Sequence, residues 1–266
     1  MQYINKNKLE KVKFTKSNFY VAVDFDRTIT ARKSNGTWDI GGLFLGDEFK
    51  QKSKEMYDRY SPIEHDYTIS FDEKNRAIEE WFYKNFRLYY EYSLTEDMIE
   101  KSVKAGMFIF RAGAKEFLEE MHSNNIPVVI LSAGIGNVIV DFLKENNCYF
   151  DNIEIISNFI PFNEDGSIKE FSGTLIHTLN KTMEGHLTEN LASKIQGKSN
   201  RFLLGDFIED KNMVPKAEWN NTVSVGFLDE RVDQNLDVFK QNFDVVLTDE
   251  DANFNIAKKI VLGEEI

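Results

Sequence analysis

Three short apolar runs, each ending in small, acidic or hydroxyl residues, constrain the fold of this chain more than any other feature. They lie at 19–23, 127–131 and 201–204, and they are continuous rather than alternating. Continuous apolar strands are typical of a parallel sheet that is covered on both faces. Because ligands of open α/β sheets bind beyond the carboxyl ends of the strands, the runs predict an α/β fold with a functional site where they end.

Weaker candidates complete a Rossmann-like, three-layer core. Further strands are predicted at 153–157, 222–227 and 244–247, with helical patterns between the strands. A hairpin excursion is predicted at 160–171, where Asn163-Glu164-Asp165-Gly166-Ser167 supplies turn-forming residues.

Residues 31–110 separate the first two runs and have a mostly helical pattern. Within 72–92, one apolar stripe contains Ile78, Trp81, Phe82 and Tyr89. Ser93-Leu94-Thr95-Glu96 then matches a capping box, which predicts a helix through about Ala105. A crossover of this length exceeds one helix. We therefore expect a helical cap at 31–110, inserted after the first motif strand into a catalytic core of 1–30 and 111–266.

Composition limits the class of partner. The 266 residues carry a net charge of −12, which disfavours nucleic acid as a partner and means that a phosphorylated small molecule needs a local cationic site. The one cysteine, Cys148, excludes an intrachain disulfide and a cysteine-based zinc site, and is expected to be buried.

Localisation and assembly are predicted from what the sequence lacks. No run approaches about 18 apolar residues, and the polar, basic start has no signal-peptide pattern, so we expect no membrane association and a cytoplasmic, monomeric or weakly oligomeric protein. The four histidines show no metal-ligand spacing, and His177 is expected to be structural.

Asp24 and Asp26 stand directly after the first run, separated by one residue. Carboxylates placed in this way on a turn project in different directions and can take different roles. One can attack phosphorus, and the other can transfer protons. The alternative is ordinary turn chemistry, because Asp is common at strand ends and helix N-caps.

The other two runs end in groups that suit a phosphate and a metal ion. Ser132 precedes Ala133-Gly134-Ile135-Gly136 and a helix from about Asn137, so its hydroxyl and nearby N–H groups can bind an anion. Asp206 ends the third run, and Mg²⁺ prefers one or two such carboxylates together with substrate phosphate. The alternative for both Ser132 and Asp206 is helix capping.

In this order the motifs resemble those of the haloacid dehalogenase superfamily of phosphohydrolases. The superfamily pattern is Asp-x-Asp-x-Thr, a strand-end Ser/Thr, a Lys and Gly-Asp-x₃-Asp. More narrowly, the chain resembles the cytosolic 5′-nucleotidase III (pyrimidine 5′-nucleotidase) family. The resemblance runs from about Ile126 onward and is sparser in the cap. It is carried by Leu131-Ser132-Ala133-Gly134-Ile135-Gly136-Asn137, Ile156-Ser157-Asn158-Phe159, Leu175-Ile176-His177-Thr178-Leu179-Asn180-Lys181, Leu204-Gly205-Asp206 and Gly226-Phe227-Leu228-Asp229-Glu230-Arg231-Val232-Asp233.

The resemblance implies a role for each matching residue. Asp24 corresponds to the nucleophile that forms an aspartyl-phosphate, and Asp26 to the general acid/base. Mg²⁺ would bind the Asp24 and Asp206 side chains and the Asp26 carbonyl, with Asp210 behind them. The phosphate would be held by three groups, namely Ser132, the N–H of Ala133 and Lys181.

Glu80 corresponds to the family glutamate that contacts the nucleoside. The alternative is a solvated ion-pair ladder, because Arg76, Glu80 and Lys84 follow one another at helical spacing.

The resemblance implies Mg²⁺-dependent hydrolysis of nucleoside 5′-monophosphates, with a pyrimidine as the expected base. The alternatives are a phosphatase for a phosphoserine-like or sugar phosphate and a nucleotide phosphotransferase. A non-catalytic phosphate-binding module is disfavoured, because a pure binder does not need two carboxylates facing an anion. The departures from the family pattern lie in 31–70 and in the bulkier, more acidic Phe207-Ile208-Glu209 after Asp206.

Overall fold

A seven-stranded sheet organises the chain in a computed structural model, which describes residues 2–66, 68–248 and 252–266. Its strands are Gln2–Ile4 (β1), Phe19–Val23 (β2), Val128–Ile135 (β3), Ile153–Asn158 (β4), Asn200–Gly205 (β5), Thr222–Phe227 (β6) and Val245–Leu247 (β7). They stand in the order β1-β7-β6-β5-β2-β3-β4, with β1 antiparallel to β7 and every other pair parallel. The predicted α/β fold with a parallel sheet is confirmed, including the weaker strand candidates.

Helices cover the sheet and form the long insertion between β2 and β3. They are Lys6–Lys11 (α1), Gly41–Phe44 (α2), Gly46–Glu64 (α3), Phe71–Glu91 (α4), Glu96–Lys104 (α5), Ala114–Ser123 (α6), Gly136–Glu145 (α7), Glu189–Ile195 (α8), Val232–Asn242 (α9) and Asn255–Leu262 (α10). No helix of the described segments is both long and apolar enough to cross a membrane.

Alternate residues of the central strands pack on opposite faces of the sheet. In β2, Val21 and Val23 belong to the larger apolar cluster, whereas Tyr20 and Ala22 belong to a second cluster on the other face. All five residues of β2 are buried, which explains why its sequence is a continuous apolar run.

The insertion leaves and re-enters the core through a narrow neck. Thr30 and Phe110 form an antiparallel bridge, and the N–H of Ala31 donates to the carbonyl of Ile109 at 2.8 Å. The helices α2 to α5 lie between these two chain segments. We propose that this neck bounds a cap domain at residues 31–110.

Aromatic rings hold the long cap helices together. Trp81 of α4 stacks on Tyr60 of α3 with ring centroids 5.9 Å apart, and Phe49 contacts Tyr89 at 5.2 Å. Trp38 connects this layer to the core, because its indole N–H donates to the carbonyl of Ala133 at 3.0 Å. The cap therefore packs directly on the third strand.

The predicted capping box at Ser93 is wrong, although the helix predicted to follow it is present as α5. Thr95 is the N-cap of α5 and accepts a hydrogen bond from the N–H of Met98. Ser93 instead terminates α4 in a left-handed conformation, with φ of 55°. Leu94 and Ile99 occupy the positions of a hydrophobic staple around Thr95, and both are fully buried.

Three other details differ from the prediction. β3 continues to Ile135 through a register shift between Leu131 and Ile135, so Ser132 lies inside the strand rather than at its end. The excursion at 160–171 forms a turn with one antiparallel bridge, Phe162 to Ile168, instead of two strands. β1 was not predicted.

Candidate active site

Asp24 emerges from the centre of the sheet, immediately after β2. Its N–H donates to the carbonyl of Leu204 at 3.0 Å, which fixes the backbone at the point where the buried strand ends. The Asp24 carboxylate is 5% exposed, and its Oδ1 accepts a hydrogen bond from Lys181 at 2.5 Å. Its Oδ2 is buried and accepts no hydrogen bond of ordinary geometry from any described residue. One carboxylate oxygen is thus left for a ligand or for chemistry.

Asp206 and Asp210 complete an acidic cluster around Asp24. One carboxylate oxygen of each residue lies within 4.8 Å of the others. Asp210 is held by two backbone N–H groups, those of Asp206 and Phe207, at 3.0 Å each, and it binds Lys181 at 2.7 Å. Asp210 is therefore satisfied by the protein, whereas Asp24 and Asp206 face the site.

The cluster carries more negative charge than Lys181 neutralises. Burial lowers the pKa of Lys181, but the carboxylates of Asp210 and Asp24 raise it by more, so the pKa lies above its ordinary value. Burial also raises the pKa of Asp24 to about 6, and burial together with Asp24 and Asp210 raises the pKa of Asp206 well above its usual range. A hard cation is the group that relieves such a surplus. The donor set and the unpartnered Asp24 Oδ2 fit Mg²⁺.

Asp26 lies two residues beyond Asp24 on a wide turn, and its carboxylate accepts two hydrogen bonds from Thr37. The Thr37 N–H donates to Asp26 Oδ1 at 3.0 Å, and the hydroxyl donates to Oδ2 at 2.7 Å. The same hydroxyl accepts a hydrogen bond from the N–H of Ile135 at 3.0 Å. Burial raises the pKa of Asp26 to about 7, so this carboxyl group can both release and accept a proton near neutrality.

The segment after Leu131 forms a compact cradle beside these carboxylates. The Ser132 hydroxyl is 1% exposed and accepts a hydrogen bond from the N–H of Gly134 at 3.0 Å. A Cβ at Gly134 would lie 2.1 Å from Thr37 Oγ1 and 2.9 Å from Asp26 Oδ2. Only glycine therefore allows β3 to approach the turn that carries Asp26.

The loop that carries Lys181 is braced by its own side chains. Asn180 accepts a hydrogen bond from the N–H of His177 at 2.7 Å and donates to the carbonyl of Leu175 at 2.9 Å. His177 is 1% exposed, and burial lowers its pKa to about 4. The neutral ring accepts a hydrogen bond from the N–H of Leu179, which is the structural role that was predicted.

The model of the pyrimidine 5′-nucleotidase family (UMPH-1) matches residues 31–263 of this chain. The chain belongs to this family.

Relatives and solved structures agree with the match. The human 7-methylguanosine phosphate-specific 5′-nucleotidase is 31% identical over 237 residues, which cover 85% of this chain and 78% of the relative. A putative cytosolic 5′-nucleotidase 3 of Caenorhabditis elegans is 32% identical over 255 residues, or 91% of this chain and 68% of the relative. A crystal structure of cytosolic 5′-nucleotidase IIIB bound to cytidine is 25% identical, has a TM-score of 0.78 and covers 97% of this chain and 88% of that one. This chain is thus a 5′-nucleotidase-type phosphatase.

A substrate-bound phosphoserine phosphatase structure shares the fold alone. It is 17% identical, has a TM-score of 0.59 and covers 94% of this chain and all of that one, 100%. The nucleotidase therefore shares its overall fold with this phosphatase.

Glu80 lies on α4, in the cap of this nucleotidase. Its carboxylate is half-exposed and pairs with Lys84 at 2.6 Å, and Lys84 also donates to the Tyr60 hydroxyl at 2.9 Å. Arg76 instead donates to the carbonyl of Asp72, so the Glu80–Lys84 ion pair is the part of the ladder that forms. The structure shows the ion-pair alternative for Glu80, and a contact with the nucleoside stays a prediction.

A surface cleft lies beside Asp206, and residues of α3 and its C-cap form the wall that the cap contributes. Tyr57, Ser61 and His65 follow one another at four-residue intervals on that wall. The core side contributes Asp206 and Phe207, and the His65 and Phe207 rings meet edge to face at 5.6 Å. The four-residue spacing of Tyr57, Ser61 and His65 is visible in the sequence and could have indicated that they share one helix face.

Arg111 is a second group that sequence reasoning missed. It is 3% exposed, its Nε donates to the carbonyl of Thr28 at 3.0 Å, and a terminal nitrogen donates to the carbonyl of Arg27. Its guanidinium also pairs with Asp229 at 2.6 Å. Arg111 therefore fastens the turn that follows Asp26 to the segment after β6. The only sequence signal was a charged residue directly after the apolar 108–110 segment.

Proposed function

We propose that this nucleotidase hydrolyses nucleoside 5′-monophosphates with Mg²⁺ through an aspartyl-phosphate on Asp24. The observation that carries the proposal is the buried, unpartnered Oδ2 of Asp24, which lies beside Asp206 and Lys181. A buried carboxylate oxygen without a partner is costly unless a ligand or a reaction uses it.

The metal ligands that we propose are the side chains of Asp24 and Asp206 and the backbone carbonyl of Asp26. Bound there, Mg²⁺ would supply positive charge that offsets the carboxylates and the phosphate. Asp210 serves behind this set, because its oxygens already bind Lys181 and two backbone N–H groups.

In the first displacement, an oxygen of Asp24 attacks phosphorus and the bond from phosphorus to the nucleoside O5′ breaks. Asp26 gives its proton to the departing oxygen, which leaves as the nucleoside hydroxyl. Lys181, Ser132 and the N–H of Ala133 hold the transferring phosphoryl oxygens. A pKa of about 7 keeps a large share of Asp26 protonated near neutral pH, as this step requires.

In the second displacement, water attacks the phosphorus of the aspartyl-phosphate while Asp26 takes a proton from that water. The acyl-phosphate bond breaks, inorganic phosphate leaves and the Asp24 carboxylate is restored. A nucleoside hydroxyl in the place of water would give the phosphotransferase reaction, so the ratio of the two depends on how well the cap excludes water.

The description of the matching family supports a pyrimidine as the preferred base. Tyr57, His65 and Phe207 offer ring faces or edges to a base, and Arg27 and Arg231 line the same cleft. These two arginines and Arg32 are balanced by Asp206, Asp229 and Glu230 in the same lining, so the charge of the cleft suits a neutral and a cationic base alike. The second candidate is 7-methylguanosine monophosphate, which the names of several relatives specify.

A phosphate-release panel tests the proposal. It compares cytidine, uridine and 7-methylguanosine monophosphates with phosphoserine and a sugar phosphate, with Mg²⁺ and with EDTA. We expect the nucleotides to be hydrolysed fastest, and Asp24→Asn to lose at least about a thousandfold in kcat. Turnover by Asp24→Asn within about tenfold of wild type would remove the nucleophile. Faster hydrolysis of phosphoserine than of any nucleotide would remove the substrate class.

Two broader predictions accompany this function. A cytoplasmic location agrees with the word "cytosolic" in the name of the Caenorhabditis elegans relative. We also propose a monomer or weak oligomer with a small-molecule substrate, and sedimentation measurements test that state.

A further inference from the structure

A second polar pocket, of about 230 Å³, opens on the side of the sheet away from the catalytic carboxylates. It lies where β6 begins, at Thr222, and next to Asp244, the residue before β7. In a parallel sheet these amino ends stand at the edge opposite the one that carries Asp24. The pocket is therefore separate from the nucleotidase site.

Three lysines, Lys8, Lys211 and Lys240, line this pocket together with one acidic residue, Asp244. Asp244 is held by Ser224 in the pocket wall, because its Oδ2 accepts hydrogen bonds from the N–H and the hydroxyl of Ser224, both at 3.0 Å. The pocket thus has a local excess of positive charge in a chain whose net charge is −12.

The lysines retain donors for a ligand. The Lys8 ammonium donates to the carbonyls of Trp219 and Asn220, at 2.6 and 3.1 Å, which leaves one of its three N–H groups. Lys240 lies 3.9 Å from Asp237, whose side chain is 90% exposed. An ion pair of that length with a solvated partner is weak.

Of the three lysines, Lys211 has the fewest protein groups that stabilise its positive charge. Its ammonium lies 4.1 Å from the centre of the Trp219 ring, and it makes no hydrogen bond or ion pair with any other residue in the described part of the chain. Partial burial lowers the pKa of Lys211, and the neighbouring Lys8 and Lys216 lower it further while Asp244 raises it. A half-buried ammonium of this kind gains from an anion that bonds to it.

We propose that this pocket binds a phosphate group, either as inorganic phosphate or as part of a nucleotide. A phosphate offers several acceptor oxygens at once, which suits ammonium groups that converge from α1, α9 and the 3₁₀ turn Ile208–Met213. Asp210 of the catalytic cluster lies in that same turn, directly before Lys211. The two sites therefore share one structural element.

The three tryptophans of the chain make the test site-resolved. Trp219 lines the pocket, whereas the Trp38 indole N–H bonds to Ala133 beside the catalytic cradle. Inorganic phosphate, tripolyphosphate and cytidine monophosphate are titrated into ¹⁵N-labelled protein in EDTA, and the indole signals are followed by NMR. Substituting each Trp by Phe assigns the signals.

Saturable movement of the Trp219 signal is the expected result. Lys211→Gln should weaken that binding by about tenfold or more, and Lys240→Gln should weaken it as well. The matched control is Lys216→Gln. Its ammonium lies 5.7 Å from the same Trp219 ring but does not line the pocket, so it should stay within about twofold of wild type.

Two results would overturn the proposal. Movement of the Trp38 signal without the Trp219 signal would place phosphate at the catalytic cluster only. Identical titrations of Lys211→Gln and Lys216→Gln would show that the pocket lysines do not hold the anion. Equal affinities for cytidine monophosphate and inorganic phosphate would support recognition of the phosphate alone, whereas tighter binding of the nucleotide would support a nucleotide ligand.

Discussion

Replacing Thr37 by Val removes one hydroxyl from the centre of the site and little else. Val has nearly the same shape as Thr, and Thr37 is fully buried, so no solvent replaces the lost group. Asp26 loses its 2.7 Å hydrogen bond while keeping the backbone N–H of residue 37, and the N–H of Ile135 loses its acceptor. The change therefore tests whether the grip on Asp26 matters for proton transfer.

The magnitude follows from the two lost hydrogen bonds. A hydrogen bond to a charged group contributes about 1.5–3 kcal/mol, so we expect kcat to fall by roughly 10- to 100-fold if Asp26 loses its position. The unsatisfied N–H of Ile135 should lower the free energy of unfolding by about 1–3 kcal/mol. KM should change little, because Thr37 bonds to Asp26 and not to the proposed phosphate ligands.

Steady-state kinetics on a nucleotide and on p-nitrophenyl phosphate separate the causes. The nitrophenolate leaves without a proton, so its release should depend less on Asp26 than release of a nucleoside. Thr37→Ser keeps the hydroxyl and should stay within about threefold of wild type. Equal losses on both substrates, or a normal kcat in a destabilised Thr37→Val protein, would refute positioning of Asp26 by Thr37.

Three further changes test the site and its surroundings. EDTA should abolish activity and Mg²⁺ should restore it, whereas Ca²⁺ should substitute poorly because it takes more ligands at longer distances; full activity in excess chelator would remove the metal. The pKa of His177 is lowered to about 4 in the folded protein, so its ring stays neutral there at a pH where the same ring in the unfolded chain takes up a proton. The free energy of unfolding of the wild type should therefore fall by up to about 3 kcal/mol as the pH drops from about 6.5 to 4. His177→Gln should flatten that part of the denaturation profile, and an unchanged slope would contradict the assignment. If Glu80 contacts the nucleoside, Glu80→Ala should lower kcat/KM for the best nucleotide about tenfold and leave kcat/KM for p-nitrophenyl phosphate unchanged. If Glu80 only pairs with Lys84, kcat/KM should change for neither substrate.

The sheet and the catalytic cluster could be predicted because their signals are local. Each central strand is a continuous apolar run, and the polar residue that follows it reaches the carboxyl edge whatever the rest of the chain does. Asp24 and Asp206 therefore came together as expected. The bulge at Ser132 escaped prediction, because small residues such as Ala133 and Gly134 carry little strand preference and the strand continues only through its pairing with β4.

Contacts between distant segments account for what was missed. Thr37 belongs to a stretch without a motif, and only the folded neck brings it to Asp26. The cap of α5 illustrates a similar limit at short range. Ser93 and Thr95 are both good N-cap residues, and the choice between them follows from burying Leu94. β1 has three residues and no pattern of its own, so it becomes a strand only by pairing with β7.

The pairing of β1 with β7 also affects the order in which the chain completes its fold. Tyr3 pairs with Val246, so all the residues between them must be synthesised before this antiparallel pair can close. Until then β6 lacks its outer neighbour, and its unpaired N–H and C=O groups form an open edge. A nascent chain that stalls before β7 therefore exposes to other molecules a strand that is buried along its whole length in the folded protein.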